Sequence, residues 1–292
     1  MTLIKIKWKP IVLLIITSTA TICAHVAFAA TDKHPSNNSN PVYHFGVVPQ
    51  FEQRKLFRIW RPVMDELGRR TGVTFKLVGT PRIPAFEKAF IAGEFDFAYA
   101  NPYQIVKSHE SQGYIPLVKD TGRTLQGVLV VHKDSKISSV MELNGKQVAF
   151  PSAIALGASL LIRYDLKNIH NIKVSPQYVQ THSSVYLHVA KKLMPAGGGV
   201  LSTLKSQKPS IRDKLRVIYT TRTVSPHPIS VHPRVPVHVR KAVKKAFLAM
   251  GESKKGRLLL SRIPIKKVGS ARLEDYEDIN KMRIDEFRQV LR

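Results

Sequence analysis

Apolar positions along the chain keep changing period, and each change marks an element. Residues 42–48 are rich in β-branched and aromatic side chains and stop at Pro49, as a buried strand does. Leu56, Trp60, Val63, Met64 and Leu67 then recur at three- and four-residue spacing, with Gly72 just past them, which predicts a helix. Residues 74–78 read as a second strand. Phe86, Ala89 and Phe90 mark a second helix closed by Gly93, and 95–98 a third strand ending at Asn101-Pro102. From Leu125 the pattern restarts with a strand to Val131, a Ser138-capped turn through Leu143 and a strand over 147–150. A helix over 157–166, a strand over 175–179, a helix over 185–193 and a strand over 215–219, expected to be the last, complete this block. Beyond the proline-rich Ser225-Pro226-His227-Pro228, residues 236–250, 256–263 and 274–291 show helical spacing, as a chain returning to cover its first domain would.

Strands alternating with helices predict an α/β protein with parallel sheets covered on both faces, and two such blocks predict two lobes. The division expected is 42–124 for the first segment of lobe I, 125–222 for lobe II, and 223–292 for the return segment that completes lobe I. A ligand then belongs in the crevice between lobes, where strand-to-helix loops expose helix N-termini.

The N-terminus adds a compartment. Lys5, Lys7 and Lys9 precede an uncharged stretch over 11–22, followed by Ala27-Phe28-Ala29, the pattern of a secretory signal peptide over 1–29. A polar tether over 30–41 follows. The competing reading is an uncleaved anchor, because residues 11–30 carry no formal charge and reach membrane-spanning length. Cys23, the only cysteine, leaves with a cleaved signal, so no disulfide framework, thiolate metal site or cysteine nucleophile is expected in a periplasmic mature chain.

Composition changes the picture in one respect. With 43% hydrophobic and 23% charged residues in 292, the chain is globular rather than disordered. Its formal net charge of +26 brings in an acidic partner, an anionic ligand or an anionic membrane surface. Nucleic acid is not expected, since zinc-finger spacing, a basic-aromatic stretch and long Lys/Arg runs are missing. The scattered histidines imply no metal site and no cofactor.

Candidate chemistry sits in the strand-to-helix loops. Gln50 and Phe51 leave the first strand, with a plain turn as the competing reading. Tyr99-Ala100-Asn101-Pro102-Tyr103 places Asn101 and Tyr103 at a helix start, where Pro102 needs no hydrogen bond and neighbouring N–H groups stay free. Ser152 follows a lobe II strand in the same way. Thr181-His182-Ser183-Ser184-Val185-Tyr186 offers His182, Ser183 and Ser184 as donors to an oxyanion, or simply as capping residues. An adjacent His and Ser on a helix cap do not set up a hydrolytic nucleophile, base and oxyanion hole. Gly197-Gly198-Gly199 lacks the following Lys-Ser/Thr of a nucleotide loop and reads as a close-packing turn.

Together these stretches resemble the periplasmic substrate-binding proteins for phosphonate, phosphate and phosphite of ABC importers. The likeness runs nearly the whole mature chain and rests on residues 45–49, 93–103, 130–135, 142–151, 181–186 and 195–200. It implies a type II periplasmic-binding-protein fold, two α/β lobes joined by two chain crossings and closing on a ligand. It also implies that Gln50, Phe51, Asn101, Tyr103, Ser152 and a ligand-facing His182 contact the ligand. Two departures stand out: Pro151-Ser152-Ala153-Ile154-Ala155-Leu156 replaces a Ser/Thr-rich loop, and Gly197-Gly198-Gly199 stands where some members carry an acid.

The expected function is therefore non-enzymatic: a monomeric solute-binding component of an ABC-type importer that captures a small oxyanion and presents it to the membrane permease. A periplasmic sensor signalling to a membrane kinase or cyclase is the alternative within the class. An enzyme of the same fold acting on a small heterocyclic compound, or an envelope protein held by charge to anionic lipid, are the alternatives outside it. An unperturbed histidine titrates at about 6.5, so affinity is expected to rise as pH falls if an imidazolium at His182 is the better donor.

Overall fold

The computed structural model describes residues 41–282 and 284–288. The expected signal peptide, the tether up to residue 40 and the end of the chain beyond 288 lie outside them. Among the described residues the strands form two mixed sheets.

In lobe I, β1 (Val42–Val47), β2 (Thr74–Val78) and β3 (Phe97–Tyr99) are parallel, with α1 (Gln53–Thr71) and α2 (Ile83–Ile91) as crossovers. The predicted apolar stripe of α1 is buried. Trp60 packs 5.5 Å from the Phe45 ring and 5.0 Å from that of Tyr99. Gly72 ends the helix at φ 72°, a left-handed conformation open to a residue without Cβ, and donates its N–H to Gly68 O. Next come α3 (Pro102–Gln112) and β4 (Ile115–Asp120), the latter a strand that the sequence pattern does not mark.

Lobe II runs through β5 (Leu125–His132), a short turn of helix at Val140–Leu143, β6 (Gln147–Phe150), a wide helical turn at Leu156–Leu160 continuing into α4 (Leu161–Asn168), and β7 (Ser175–Tyr178). After these follow α5 (His182–Ala190), β8 (Ala196–Val200), α6 (Leu201–Lys205), α7 (Pro209–Arg212) and β9 (Leu215–Val224). The order of its sheet is β7-β6-β8-β5-β9, with β5 antiparallel to both neighbours. Gly197-Gly198-Gly199 lies inside the buried strand β8 rather than in a turn. A Cβ on Gly197 would meet Val185 Cγ1 at 2.5 Å, and one on Gly198 the Phe150 ring at 2.6 Å, so close packing is indeed why glycine stands there.

The return segment departs most from expectation. Leu215–Val224 is not the last strand: β10 (Ile229–Val231) runs antiparallel between β3 and β4, in the middle of the lobe I sheet. The helices α8 (Val237–Glu252) and α9 (Lys254–Arg262) then cover that sheet, and β11 (Val268–Ser270) adds its edge, giving the order β11-β4-β10-β3-β1-β2. Both sheets are therefore mixed, not parallel. The helix expected over 274–291 is broken: a turn at Leu273–Tyr276 and α10 (Glu277–Lys281) end where Met282 becomes extended, and a separate turn follows at Asp285–Arg288. Tyr276, Ile279 and Ile284 do point into the core at helix-like spacing, which is why the pattern misled.

The chain passes between the sheets at residues 121–124 and 225–228. At the first passage the buried Asp120 carboxylate accepts hydrogen bonds from Gly122 N (2.8 Å), Lys266 N (2.7 Å), Lys267 N (3.0 Å) and Arg123 Nε (2.8 Å). At the second, Tyr276 Oη donates to Pro226 O at 3.2 Å and Lys119 Nζ to Ser225 Oγ at 3.0 Å.

Candidate functional site

Both lobes and the second passage line a narrow cavity of about 10 Å³, room for roughly one water molecule as the lobes stand here. Lobe I supplies Gln50, at the exit of β1, and Asn101, at the exit of β3. Lobe II supplies the helical start Ala155-Leu156-Gly157-Ala158 and His182 at the start of α5. The second passage supplies His227. These are the strand ends and helix starts where ligands gather in α/β sheets.

Each polar group is held by a partner that dictates what it has left to offer. Asn101 caps α3: its Oδ1 accepts from Gln104 N at 2.9 Å while Gln104 Oε1 accepts from Asn101 N at 3.2 Å. The cap occupies the carbonyl oxygen, leaving the side-chain NH₂ to donate. Gln50 Nε2 lies 3.3 Å from His227 Nε2; as placed, the amide donates and His227 carries its proton on Nδ1. His227 stacks on Tyr99, with ring centroids 5.2 Å apart and an interplanar angle of 22°. His182 Nδ1 lies 3.2 Å from Thr203 Oγ1. At the start of the Leu156 helix the first N–H groups have no acceptor within the helix, so they are available to an anion.

None of the residues lining this cavity is Lys, Arg, Asp or Glu. The two histidines do not supply the missing charge. Burial pushes the His182 pKa down to about 4. Burial, and secondarily the nearby His182, pushes that of His227 down to about 3. Both imidazoles are neutral at pH 7, each with one N–H and one lone pair. This corrects the expectation of a charge-assisted bond from His182: burial disfavours the imidazolium, and the positive end of a helix dipole gives it no support. A bond from His182 is then worth about 0.5–1.5 kcal/mol rather than the 1.5–3 of a charged donor.

The other candidates sit elsewhere. Phe51 is buried beside the cavity rather than lining it, with Lys55 Nζ 3.7 Å from its ring centroid. Tyr103 is buried between Lys107 and Arg288, whose cationic groups lie 5.7 and 5.2 Å from its ring. Ser152 lines a second recess with Arg82, Pro84, Tyr178 and Gln180, and its Oγ accepts from Ile154 N at 3.3 Å. Ser183 Oγ accepts from Gln207 Nε2 at 3.4 Å. Ser184 N donates to Thr181 Oγ1 at 3.0 Å, and Ser184 Oγ lies 3.4 Å from His188 Nδ1. The structure thus brings Gln50, Asn101 and His182 together and leaves Phe51, Tyr103, Ser152, Ser183 and Ser184 outside the cavity lining.

Sequence reasoning missed His227, although a histidine between Pro226 and Pro228 was a visible signal of a rigidly held side chain. It also missed Thr203, which nothing in the sequence marks, and the link through which Tyr186 reaches the site.

Comparison with known proteins bears on the fold and the family. No curated protein matches the sequence. The fold is similar to that of a binding protein component of an ABC phosphonate transporter from Pseudomonas aeruginosa, with 16% identity and a TM-score of 0.76 over 85% of this chain and 87% of that one. It is also similar to PhnD1 from Prochlorococcus marinus in complex with methylphosphonate, with 16% identity and a TM-score of 0.77 over 85% of this chain and 99% of that one. A Xanthomonas citri protein bound to ATP is more distant, with 15% identity and a TM-score of 0.67 over 86% of this chain and 100% of that one. These likenesses establish the two-lobed type II periplasmic-binding-protein fold. The model of the ABC transporter phosphonate periplasmic substrate-binding proteins matches residues 45–276, most of the chain, and this protein belongs to that family.

Proposed function

We propose that the protein is the periplasmic, non-enzymatic solute-binding component of an ABC importer, and that it captures a small oxyanion of the phosphate, phosphite or phosphonate class between its lobes. The observation that carries this reading is the donor set: Gln50, Asn101, His182, His227 and a helix start converge on a cavity lined by no charged side chain. Neutral N–H donors and a helix dipole bind an oxyanion with its charge left intact, and such an ion exchanges water for fixed dipoles on entry. The formal charge of +26, of which Lys5, Lys7 and Lys9 of the expected signal peptide supply only three, raises the local concentration of anions around the cleft. Closure of the lobes then completes the hydrogen bonds, and the closed form is what the permease meets. The protein acts as a monomer in this reading, because one chain supplies both walls of the cavity.

A thermal-shift panel of phosphate, phosphite, methylphosphonate and sulfate tests it. A ligand present at 100 times its Kd adds about 2.7 kcal/mol of stability, which raises the melting temperature by several degrees. The reading fails if no oxyanion of the panel moves the melting temperature while the protein melts cooperatively.

A further inference from the structure

We infer that Thr203, backed by Tyr186, sets the tautomer of His182 and so decides whether the cavity meets a bound oxyanion with a donor or an acceptor at His182 Nε2. Of the two ring nitrogens, Nδ1 is committed to Thr203 Oγ1 at 3.2 Å, and His182 lines the cavity, so Nε2 is the nitrogen left to serve a ligand. Thr203 and Tyr186 are themselves fully enclosed, 1% and 0% exposed. Their hydroxyls lie 2.9 Å apart, and each lies 2.9 Å from Val200 O.

Three protons are shared among these contacts, and the orderings that give each of them an acceptor fall into two sets, one for each tautomer of His182. In the first, Thr203 donates to Val200 O, Tyr186 donates to Thr203 or to the second lone pair of Val200 O, and His182 Nδ1–H donates to Thr203; Nε2 then presents a lone pair. In the second, Thr203 donates to Nδ1 and Tyr186 donates to Val200 O or to Thr203; Nε2 then carries the proton. The two sets differ by hydroxyl rotation and the tautomer of one neutral ring, with no heavy atom displaced. A site of this kind accepts both the bare oxygen and the hydroxyl of a partly protonated oxyanion. The space for the chain exists because residue 199 is glycine: a Cβ there would fall on the Tyr186 hydroxyl. This inference deepens the proposed oxyanion-binding role and rests on it.

The two inner residues push the tautomer in opposite directions, which separates this role from simple packing. Thr203→Val removes the partner of Nδ1; a buried N–H without an acceptor is costlier than a bare lone pair, so the proton moves to Nε2. Tyr186→Phe leaves Val200 O dependent on Thr203, which then accepts from Nδ1–H and leaves Nε2 bare. The test is the ¹⁵N spectrum of the His182 ring in the ligand-free mature protein, together with calorimetry of methylphosphonate below its second ionisation, where it carries a hydroxyl. Thr203→Val is expected to give the Nε2–H pattern and Tyr186→Phe the Nδ1–H pattern. Thr203→Ser is expected to restore the wild-type spectrum. Against calorimetry repeated above that ionisation, Thr203→Val is expected to favour the dianion and Tyr186→Phe the hydroxyl-bearing form, so that the two variants differ about two- to thirteen-fold in this preference, the value of one neutral hydrogen bond. Ring shifts unchanged in both Thr203→Val and Tyr186→Phe overturn the inference, and so does an equal preference for the two forms in both variants. If the wild type binds no oxyanion, the functional reading has failed, and the spectra still decide the tautomer control. Should Thr203→Val not fold, Tyr186→Phe alone reads the opposite shift.

Discussion

The Tyr186 hydroxyl fills the place where a side chain on residue 199 would begin, so a helix residue of lobe II reaches through its central strand to Val200 O, 2.9 Å away. The two residues are a single packing unit. Gly199→Ala must displace a fully buried tyrosine, an overpacking that costs about 1–3 kcal/mol. A domain of this size then melts roughly 2–10 °C lower by calorimetry. A melting temperature within experimental error of wild type would show that the tyrosine can move aside freely.

His182 and His227 predict an acid-sensitive fold. Both have folded-state pKa values below the ordinary value of about 6.5, at about 4 and about 3. A depressed value means that the unfolded chain binds the proton first. The neutral histidines are therefore harmless above about pH 6.5, and stability is lost as pH falls below it, each contributing a slope of up to about 1.4 kcal/mol per pH unit. Between about pH 6.5 and 4.5 the carboxylates are still largely ionised, so this loss belongs to histidine. Urea titrations across that window should show the decline, and His182→Asn with His227→Asn should flatten it. An unchanged slope in the double variant would place the acid sensitivity elsewhere.

His182→Ala is expected to weaken oxyanion binding about two- to thirteen-fold, the worth of one neutral hydrogen bond, with no steep rise in affinity between pH 7 and 5 in the wild type. Isothermal calorimetry against the best anion of the panel measures both. A hundred-fold loss would mean that the ligand recharges the imidazole on binding.

Asp120 ties both sides of the first passage together. Its Oδ1 accepts from Gly122 N and Lys267 N, and its Oδ2 from Arg123 Nε and Lys266 N. In Asp120→Asn, either orientation of the amide turns an NH₂ group against two donors. The expected cost is at least about 1–3 kcal/mol, seen as a lower urea midpoint with an unchanged denaturant slope. Burial alone would raise this carboxyl's pKa, but those four donors hold it below the usual range, so the support it gives is present above about pH 4 and lost as pH falls further. A midpoint equal to wild type would mean that the passage tolerates loss of the carboxylate.

A fragment of residues 125–224 is expected to fold alone. It retains all five strands of its sheet and a core of Leu129, Val131, Phe150, Ile162 and Leu166. Ending at 222 instead would remove the Leu125–Val224 pair. It would also bare Ile154, Leu156 and Leu160, which the intact chain buries in the lobe I cluster, so it should bind a hydrophobic dye more strongly than the full protein. Far-ultraviolet circular dichroism of an unfolded chain would remove support for this boundary.

The α/β class, the two lobes and the cleft were legible because they depend on local pattern. The three-four spacing of Leu56, Trp60, Val63, Met64 and Leu67 can bury one face only as a helix, and Gly72 can end it whatever lies nearby. Asn101-Pro102 with Gln104 is likewise a helix start that the sequence alone specifies, since cap, first-turn proline and return hydrogen bond lie within four residues. His182 was marked for the same reason, as a residue at a helix start, and the structure places it in the cavity lining. Tertiary structure decided the rest. Ile229–Val231 is too short to show a period, and only the gap between β3 and β4 makes it a central strand. Ser183 and Ser184 follow His182 in sequence, yet successive helix residues are turned about 100° apart, so their partners lie elsewhere. His227 and Thr203 reach the site from 45 and 21 residues beyond His182, and a hydrogen bond between such positions exists only once the chain has folded back on itself. The charge state of the cavity was decided last: histidine titrates by its surroundings, and burial between two lobes keeps His182 neutral down to about pH 4, where an exposed histidine takes up its proton at about 6.5.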